Sequence, residues 1–242
     1  MATPQGFIGK LDFVDRKLSG YVHSCVIKPR VLELIIFPFA VLFQPFLVPV
    51  LLAAVGIFMP VLEDAQRTRY RAAGVTLPVD FEDEDFGYKS HLSKPATVMA
   101  QYLVMMGVLL LLVLVLKRLF GRIRPAVPVD SRRMVNLRSL ENNCSFPSGD
   151  TAQGALLAFF IMYNYPYLYV ALGEGTFLAK FISMVAIGRV FHHCHFFGDT
   201  VFGAAIGFGV AAAFFYSGWW VPVPREWDDW VANSVRDGLY KT

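Results

Sequence analysis

The chain is short of charge and of cysteine. Only 17% of its 242 residues are charged and 55% are hydrophobic, whereas about a quarter of the residues in a soluble domain carry charge. Long apolar runs cause this shortage, which excludes an ordinary soluble domain. Three cysteines (Cys25, Cys144 and Cys194) offer no disulfide framework. A dispersed net charge of +3 excludes a nucleic-acid partner, and the first 30 residues lack the early apolar core of a cleavable signal peptide.

The apolar runs predict an all-α, polytopic bundle of transmembrane helices with five or six spans. A bilayer core about 30 Å thick needs roughly 20 apolar helical residues, and backbone amides in lipid must be satisfied within the segment. The run Val31–Pro60 predicts one long kinked helix, with a membrane hairpin as the alternative, because about 45 Å of helix suits neither one straight span nor two. Further spans are expected at Ala96–Leu116, Thr151–Leu172, Thr176–Phe191 and Asp199–Tyr216.

Three parts are predicted along the chain. Residues 1–30 form an N-terminal interfacial segment, 31–217 a membrane domain with its core at 96–217, and 218–242 a tail. The tail holds Trp219, Trp220, Trp227 and Trp230, which favour the membrane interface and predict an amphipathic helix there. Residues 61–96 are predicted to be a polar loop with an acidic run at 80–85, and residues 173–175 a tight turn. The spacing of Gly203 and Gly207 permits close helix packing.

Polar residues gather at the ends of the predicted spans. If the spans alternate in direction, the loop after Leu116, the start of the span at Thr151 and the loop after Phe191 lie on one side of the membrane. Three clusters that are distant in sequence are therefore predicted to meet. They are Lys117, Arg118, Arg122, Arg124 and Pro125; then residues 145–150; then Gly188, Arg189, His192, His193, Cys194, His195 and Asp199.

The first two clusters allow a plain structural interpretation as well as a functional one. Basic residues after a span are typical of positive-inside anchoring, and Ser-Gly-Asp before an apolar run is typical of a helix cap. The same residues suit an anion, because arginine offers a planar fork of donors, lysine a point charge, and a helix N-terminus free amides. Gly149 would let the backbone approach a phosphate closely, and Ser148 would add a donor.

The third cluster adds a candidate nucleophile. His195 and Asp199 are four residues apart, so they share a face if the segment is helical, and a carboxylate bonded to one ring nitrogen leaves the other free to attack. A metal site or an interfacial histidine patch is the alternative. Nearby cations such as Arg189 would repel a metal, and the first two clusters add no histidine or cysteine ligand set. The combination favours an anion pocket with a histidine nucleophile.

Together, the clusters resemble the type 2 phosphatidic acid phosphatase superfamily, which also includes vanadium haloperoxidases. Its pattern is Lys, six residues, Arg-Pro; then Pro-Ser-Gly-His; then Ser-Arg, five residues, His, three residues, Asp. At these spacings this chain has Lys117 and Arg124–Pro125, Pro147–Ser148–Gly149, and Arg189, His195 and Asp199. The resemblance covers about residues 96–217, and only the three parts together make it specific.

The resemblance implies a membrane lipid-phosphate phosphatase that needs no metal or other cofactor. His195 would attack phosphorus to form a phosphohistidine, and Asp199 would orient the ring. The substrate would be a phosphate monoester or diphosphate of a lipid, such as phosphatidate or a polyprenyl diphosphate, and the partners would be the lipids around an integral, multi-pass protein. The phosphate would be held by Lys117, Arg124, Ser148, the Gly149 amide and Arg189.

Two positions depart from the family pattern. Gly188 stands where the family has serine, and Asp150 stands where it has a second histidine that protonates the leaving oxygen. Burial and a neighbouring anion raise a carboxyl pKa, so a protonated Asp150 could act as the general acid. Alternatively, His192 or His193 supplies the proton, or catalysis is weak. Because a leaving phosphate needs a proton less than an alkoxide does, the departure favours a polyprenyl diphosphate over a lipid monophosphate.

Two other functions remain compatible with the pattern. A catalytically silent or weak relative would act as a membrane scaffold or lipid-binding protein; Asp150 supports it, whereas the retention of His195, Asp199 and the basic positions argues against it. A lipid phosphotransferase would use the same intermediate with another alcohol as acceptor. Haloperoxidase activity is not expected, because those relatives are soluble.

Overall fold

The structure is a computed structural model that describes residues 7–28, 30–44, 47–74, 95–127, 133–218 and 223–240. Within these ranges the chain forms helices and connecting turns and no β-strand, which confirms the predicted all-α class. The helices are α1 Phe7–Ser24, α2 Glu33–Val41, α3 Val48–Ala72, α4 Pro95–Phe120, α5 Gly149–Asn164, α6 Pro166–Ala171, α7 Gly175–Phe191, α8 Phe197–Tyr216 and α9 Arg225–Tyr240.

Two compact units share these helices. The first unit consists of Met1–Gln44, Leu109–Leu156 and Lys180–Gly209. The second consists of Pro45–Val108, Leu157–Ala179 and Val210–Thr242. Every residue predicted to take part in the site belongs to the first unit.

Three helices are long and apolar enough to cross a membrane in the part of the chain that the structure describes: α3, α4 and α8. Helices α5 and α7 have 16 and 17 residues, and at 1.5 Å per residue they rise about 24–26 Å. That is less than the roughly 30 Å of a bilayer core. Three candidate spans are therefore shown, and a total of five or six stays a prediction.

The prediction of a single helix over Val31–Pro60 is wrong. Helices α2 and α3 are separate, with residues 42–47 between them, of which 45 and 46 lie outside the described residues. Helix α3 also continues past Pro60 to Ala72, where a polar loop was predicted from residue 61. Pro60 has no amide hydrogen to donate, and Ala54–Phe58 just before it winds as a π-helix, a local widening that accommodates such a break in the hydrogen-bond ladder. The acidic run at 80–85 lies outside the described residues.

Buried Glu63 joins the polar part of α3 to the beginning of α6. Its carboxylate accepts hydrogen bonds from the amides of Tyr167 at 3.0 Å and Leu168 at 2.6 Å. These amides are among the unpaired donors at the N-terminus of α6, where a negative charge is stabilising. The predicted span Thr151–Leu172 is broken here, since α5 ends at Asn164 and Pro166 disfavours helical geometry in the residue before it. The predicted turn at 173–175 is confirmed, with Gly173 at φ 100°.

Helix α8 packs closely on the beginning of α5, as the two glycines predict. A Cβ built on Gly203 would lie 2.4 Å from the Ser148 carbonyl oxygen, and one on Gly207 would lie 2.1 Å from the Ala152 carbonyl oxygen. Only glycine permits these approaches. The packing therefore holds the start of α8 beside the start of α5, where two of the three polar clusters end.

The C-terminal tail contains helix α9. Asp228 accepts hydrogen bonds from the amide and the hydroxyl of Thr97, at 2.9 and 2.6 Å, which fixes α9 to the first turn of α4. Trp227 and Trp230 are exposed, whereas Trp219 and Trp220 lie outside the described residues. The location of this helix at the membrane surface, like the division at residues 30 and 217, stays a prediction.

Candidate functional site

The structure brings the three polar clusters together at one set of helix ends. Lys117 lies in the last turn of α4, and Arg124 follows it in the loop. Ser148, Gly149 and Asp150 stand at the beginning of α5. The remaining residues, Arg189, His195 and Asp199, lie near the end of α7, in the next loop and in the first turn of α8.

The His195 ring is buried, with its two nitrogens facing different groups. Nε2 lies 3.3 Å from Nη1 of Arg124. Nδ1 lies 3.7 Å from Oδ2 of Asp199, longer than a hydrogen bond, and it has no hydrogen-bond partner among the described residues. Burial, followed by the positive charges of Arg189, Arg124 and Lys117, lowers the pKa of His195 well below its ordinary value of 6.5. The imidazole is therefore neutral at neutral pH, the form that can act as a nucleophile.

Both carboxylate oxygens of Asp199 are held in place. Oδ2, which faces His195, accepts a hydrogen bond from the Phe196 amide at 2.9 Å. Oδ1 accepts one from Nη1 of Arg122 at 2.5 Å. Arg122 was recognised in the sequence only as one of several basic residues after a span, and the tertiary structure places it directly on the carboxylate.

Ser148 joins the beginnings of α5 and α8. Its amide donates to the carbonyl oxygen of Asp199 at 2.9 Å. Its hydroxyl lies 3.0 Å from the hydroxyl of Thr151 and accepts a hydrogen bond from the Thr151 amide, so it serves as a helix cap in this structure. A Cβ on Gly149 would make only an ordinary contact, 3.5 Å from Val113, so crowding within the protein does not require glycine there.

Glu141 is the site residue that sequence reasoning missed. Its carboxylate bridges two of the arginines predicted to hold phosphate, accepting from Arg124 at 2.8 Å and from Arg189. Burial alone would raise the pKa of Glu141, but the guanidinium groups of Arg189 and Arg124 outweigh it and lower this pKa to about 2. An acidic residue in a basic loop was the only sequence signal, and no spacing rule pointed to it.

Asp150 faces the same guanidinium. Its Oδ2 lies 3.1 Å from Nη2 of Arg189. Burial raises the pKa of Asp150, Arg189 acts in the opposite direction, and Glu141 adds to the rise. The fully buried Arg189 also donates to the Ala40 carbonyl at 2.8 Å, so two carboxylates and one carbonyl surround it.

Lys117 and Arg124 are oriented by backbone carbonyls. Lys117 donates to Cys144 at 2.5 Å. Arg124 donates from Nε to Asn143 at 2.8 Å and from Nη1 to Cys194 at 2.6 Å. Both side chains are buried, so these bonds aim the two cations before any ligand arrives.

The alternative proton donors lie elsewhere. Nδ1 of His192 is 3.2 Å from the Val135 carbonyl oxygen, and the His193 ring lies against His23 with 4.8 Å between centroids. The described contacts of both rings are thus with other parts of the first unit. The Gly188 departure has a packing reason, because a Cβ there would lie 3.1–3.2 Å from the backbone of Ala40.

A metal centre finds no support in the ranges that the structure describes, where no group of three or more His, Cys, Asp or Glu side chains is arranged to hold an ion. The groups around His195 are instead the carboxylate of Asp199, three cations (Lys117, Arg124 and Arg189), and the carboxylates of Glu141 and Asp150, which pair with these cations. Such a set can bind an anion, provided that the carboxylates release the cations or are protonated.

Comparison with known proteins agrees with this geometry. The PAP2 superfamily matches residues 99–222. Among solved structures, a transmembrane PAP2 type phosphatidylglycerolphosphate phosphatase from Bacillus subtilis is 22% identical with a TM-score of 0.54, and 84% of each chain is covered. Aquifex aeolicus LpxE is 19% identical with a TM-score of 0.51, covering 88% of this chain and 98% of its own. A search of curated proteins found no match.

The solved structures share the fold, and the three candidate spans agree with the transmembrane character of the Bacillus subtilis protein. The family match spans more than half of the chain and includes every predicted site residue. This integral membrane protein therefore belongs to the PAP2 superfamily.

Proposed function

We propose that the chain is a lipid-phosphate phosphatase that works through a phosphohistidine and without a metal. One observation carries the proposal: the buried His195 directs Nε2 at the Arg124 guanidinium, while its other nitrogen faces Asp199. A phosphate bound by Arg124 would lie directly in front of the attacking nitrogen. Such positioning of a nucleophile beside cations that neutralise phosphate is the main source of rate enhancement in phosphoryl transfer.

The reaction proceeds in two displacements. The Nε2 lone pair attacks phosphorus, the bond from phosphorus to the lipid oxygen breaks, and that oxygen leaves with the bonding electron pair. Asp199 stabilises the positive charge on the imidazolium, and its 3.7 Å approach shortens when the charge forms. Water then attacks phosphorus, the phosphorus–nitrogen bond breaks, and the electron pair returns to Nε2. Lys117, Arg124 and Arg189 neutralise the charge on the phosphoryl oxygens throughout.

Asp150 is the proposed general acid. Its raised pKa and its place beside Arg189 support a carboxylic acid that protonates the departing lipid oxygen. The resulting carboxylate then takes a proton from the attacking water. An incoming phosphate brings negative charge towards Asp150, which raises its pKa further and favours the protonated form.

Glu141 must give up its arginines when phosphate binds. A phosphate dianion offers more charge and more acceptor oxygens than one carboxylate, so it competes for Arg124 and Arg189. The Glu141 carboxylate thus stands in for the ligand and keeps the buried guanidinium groups paired in its absence.

Phosphate release by the purified protein in detergent, with EDTA present, tests the proposal. The substrates are phosphatidate, phosphatidylglycerolphosphate and a polyprenyl diphosphate, because the Bacillus subtilis neighbour supports a phosphomonoester and the Asp150 departure supports a diphosphate. We expect turnover with chelator, none with His195→Ala, and turnover with His192→Ala, whose ring contacts Val135. A His195→Ala protein that turns over like the wild type would contradict the mechanism.

A catalytically silent lipid-binding protein is the second candidate. The two carboxylates on Arg189 favour it, since they reduce the positive charge available to a phosphate. It predicts that lipid phosphates bind but are not hydrolysed, even with Asp150→His, which restores the family's histidine. A lipid phosphotransferase would release the same lipid alcohol yet transfer phosphate to an added alcohol, so product analysis with and without an acceptor separates it from a phosphatase.

A further inference from the structure

Helix α1, which precedes the segment matched by the family, contacts the loop that carries the nucleophile and the first two residues of α8. Nε2 of His23 lies 3.4 Å from the His195 carbonyl oxygen. The hydroxyl of Ser19 accepts a hydrogen bond from the Phe197 amide at 2.7 Å, and Oδ1 of Asp15 accepts one from the Gly198 amide at 2.7 Å. Helix α1 therefore supplies side-chain caps for the N-terminus of α8.

Arg122 connects this helix with the catalytic carboxylate. Its Nη2 lies 2.6 Å from Asp12 and 2.8 Å from Asp15, both on α1. Its Nη1 binds Oδ1 of Asp199 at 2.5 Å, and its guanidinium carbon lies 4.3 Å from the centre of the Phe196 ring. One planar side chain thus joins α1, the nucleophile loop and the buried carboxylate behind His195.

We infer that Arg122 and Asp15 are positioning residues for the His195–Asp199 pair. An aspartate can rotate about its carboxylate bond, and either oxygen can then face the histidine ring. Arg122 holds Oδ1 and the Phe196 amide holds Oδ2, so Asp199 keeps one rotamer in which Oδ2 faces Nδ1. Asp15 contributes at both ends, because one of its oxygens fixes Arg122 and the other caps α8 one residue before Asp199.

Asp12 contributes less than Asp15 to holding Arg122 in place. It is half-exposed and also pairs with Arg16 at 2.6 Å, so solvent and a second cation share its charge, and exposed pairs of this kind contribute little. Asp15 is more buried and binds a backbone amide. Loss of Asp15 should therefore disturb the nucleophile more than loss of Asp12.

The inference rests on the proposed function for its kinetic test, and an independent readout accompanies it. The variants are Arg122→Gln, Arg122→Lys, Asp15→Asn and their Arg122→Gln/Asp15→Asn combination. Lys17→Gln, an exposed charge change on the same helix, is the matched control. We expect kcat of Arg122→Gln to fall about 10- to 100-fold, the scale on which misplacement by up to 1 Å acts, with KM changed less than about threefold. We expect kcat of Asp15→Asn to fall less and Arg122→Lys to keep part of the kcat that Arg122→Gln loses. The double variant should have a kcat no lower than that of Arg122→Gln.

Imidazole ¹⁵N resonances provide the readout that needs no turnover. The chain has five histidines, and His195→Gln assigns the resonances of His195. We expect Arg122→Gln and Asp15→Asn to shift its Nδ1 resonance and Lys17→Gln to leave it unchanged. The inference is overturned if Arg122→Gln keeps the wild-type kcat, or if it lowers only the thermal midpoint while the His195 resonances of the folded protein stay at their wild-type positions. If the wild type hydrolyses no lipid phosphate, the proposed function fails, and the resonances alone decide the positioning role.

Discussion

Replacement of Gly203 by alanine should lower activity by disturbing the contact between α8 and α5. The new Cβ would lie 2.4 Å from the Ser148 carbonyl oxygen, whereas Cβ contacts under 3.0 Å essentially do not occur. The starts of α8 and α5 must therefore move apart by at least 0.6 Å, the difference between these distances. The backbone hydrogen bond from Ser148 to Asp199, now 2.9 Å, joins the same two segments one turn earlier and would be lengthened.

The magnitudes follow from the geometry. Overpacking a close contact costs about 1–3 kcal/mol, and the better helix propensity of alanine offsets up to about 1 kcal/mol of it. If a 1 Å misplacement costs about 10²-fold in rate, a displacement of this size corresponds to roughly a 10-fold loss of kcat. We expect a lower thermal midpoint together with this loss.

Gly209 provides the matched control on the same helix. A Cβ there would meet no described atom within 4 Å, so Gly209→Ala gains the same propensity without displacing a neighbour. Phosphate release and thermal unfolding in detergent would be measured for both variants. If Gly203→Ala matches Gly209→Ala in kcat and in midpoint, the close α5–α8 contact does not position the site and the reasoning is refuted.

Three further predictions concern the carboxylates of Asp150, Glu141 and Glu63. Asp150→Asn should lower kcat about 10²–10⁴-fold with phosphatidate and less with a polyprenyl diphosphate. The activity of the wild type should fall as pH rises through the raised pKa of Asp150. Equal losses of kcat on both substrates would rule out Asp150 as the general acid. Glu141→Gln should lower KM, because the Glu141 carboxylate then no longer competes with phosphate for Arg124 and Arg189. Since the pKa of folded Glu141 is about 2, against an ordinary 4.5, its stability advantage over Glu141→Gln should be constant above pH 4.5 and disappear as pH falls towards 2. If the ion pairs were unimportant, the difference between the two thermal midpoints would not change across that range. Glu63→Ala leaves two buried amides without their acceptor, and should cost about 1–3 kcal/mol of stability while the His195 resonances stay unchanged; a shift of those resonances would contradict a purely structural role.

Local sequence patterns predicted the helices well where a single physical rule controls them. A long apolar run identifies α4 and α8 because lipid requires internally bonded backbone, and the Gly203/Gly207 spacing identifies a close contact because only glycine permits it. The same rules failed between residues 31 and 72. There a turn separates α2 from α3, and α3 continues into a polar segment in which Glu63 caps α6, a partner 104 residues away.

What the sequence by itself determined is the membrane character, the helical class and the three motifs that identify the family, since each depends on residues close together along the chain. Only the tertiary structure decided that Glu141 bridges two arginines, one of them 48 residues away. It also decided that Arg122 joins Asp199 to Asp12, which lies 110 residues before Arg122. Such pairs produce no periodic pattern in the sequence, because the packing of whole helices determines which charges meet. The electrostatics of the site therefore became visible only when the helix ends were brought together.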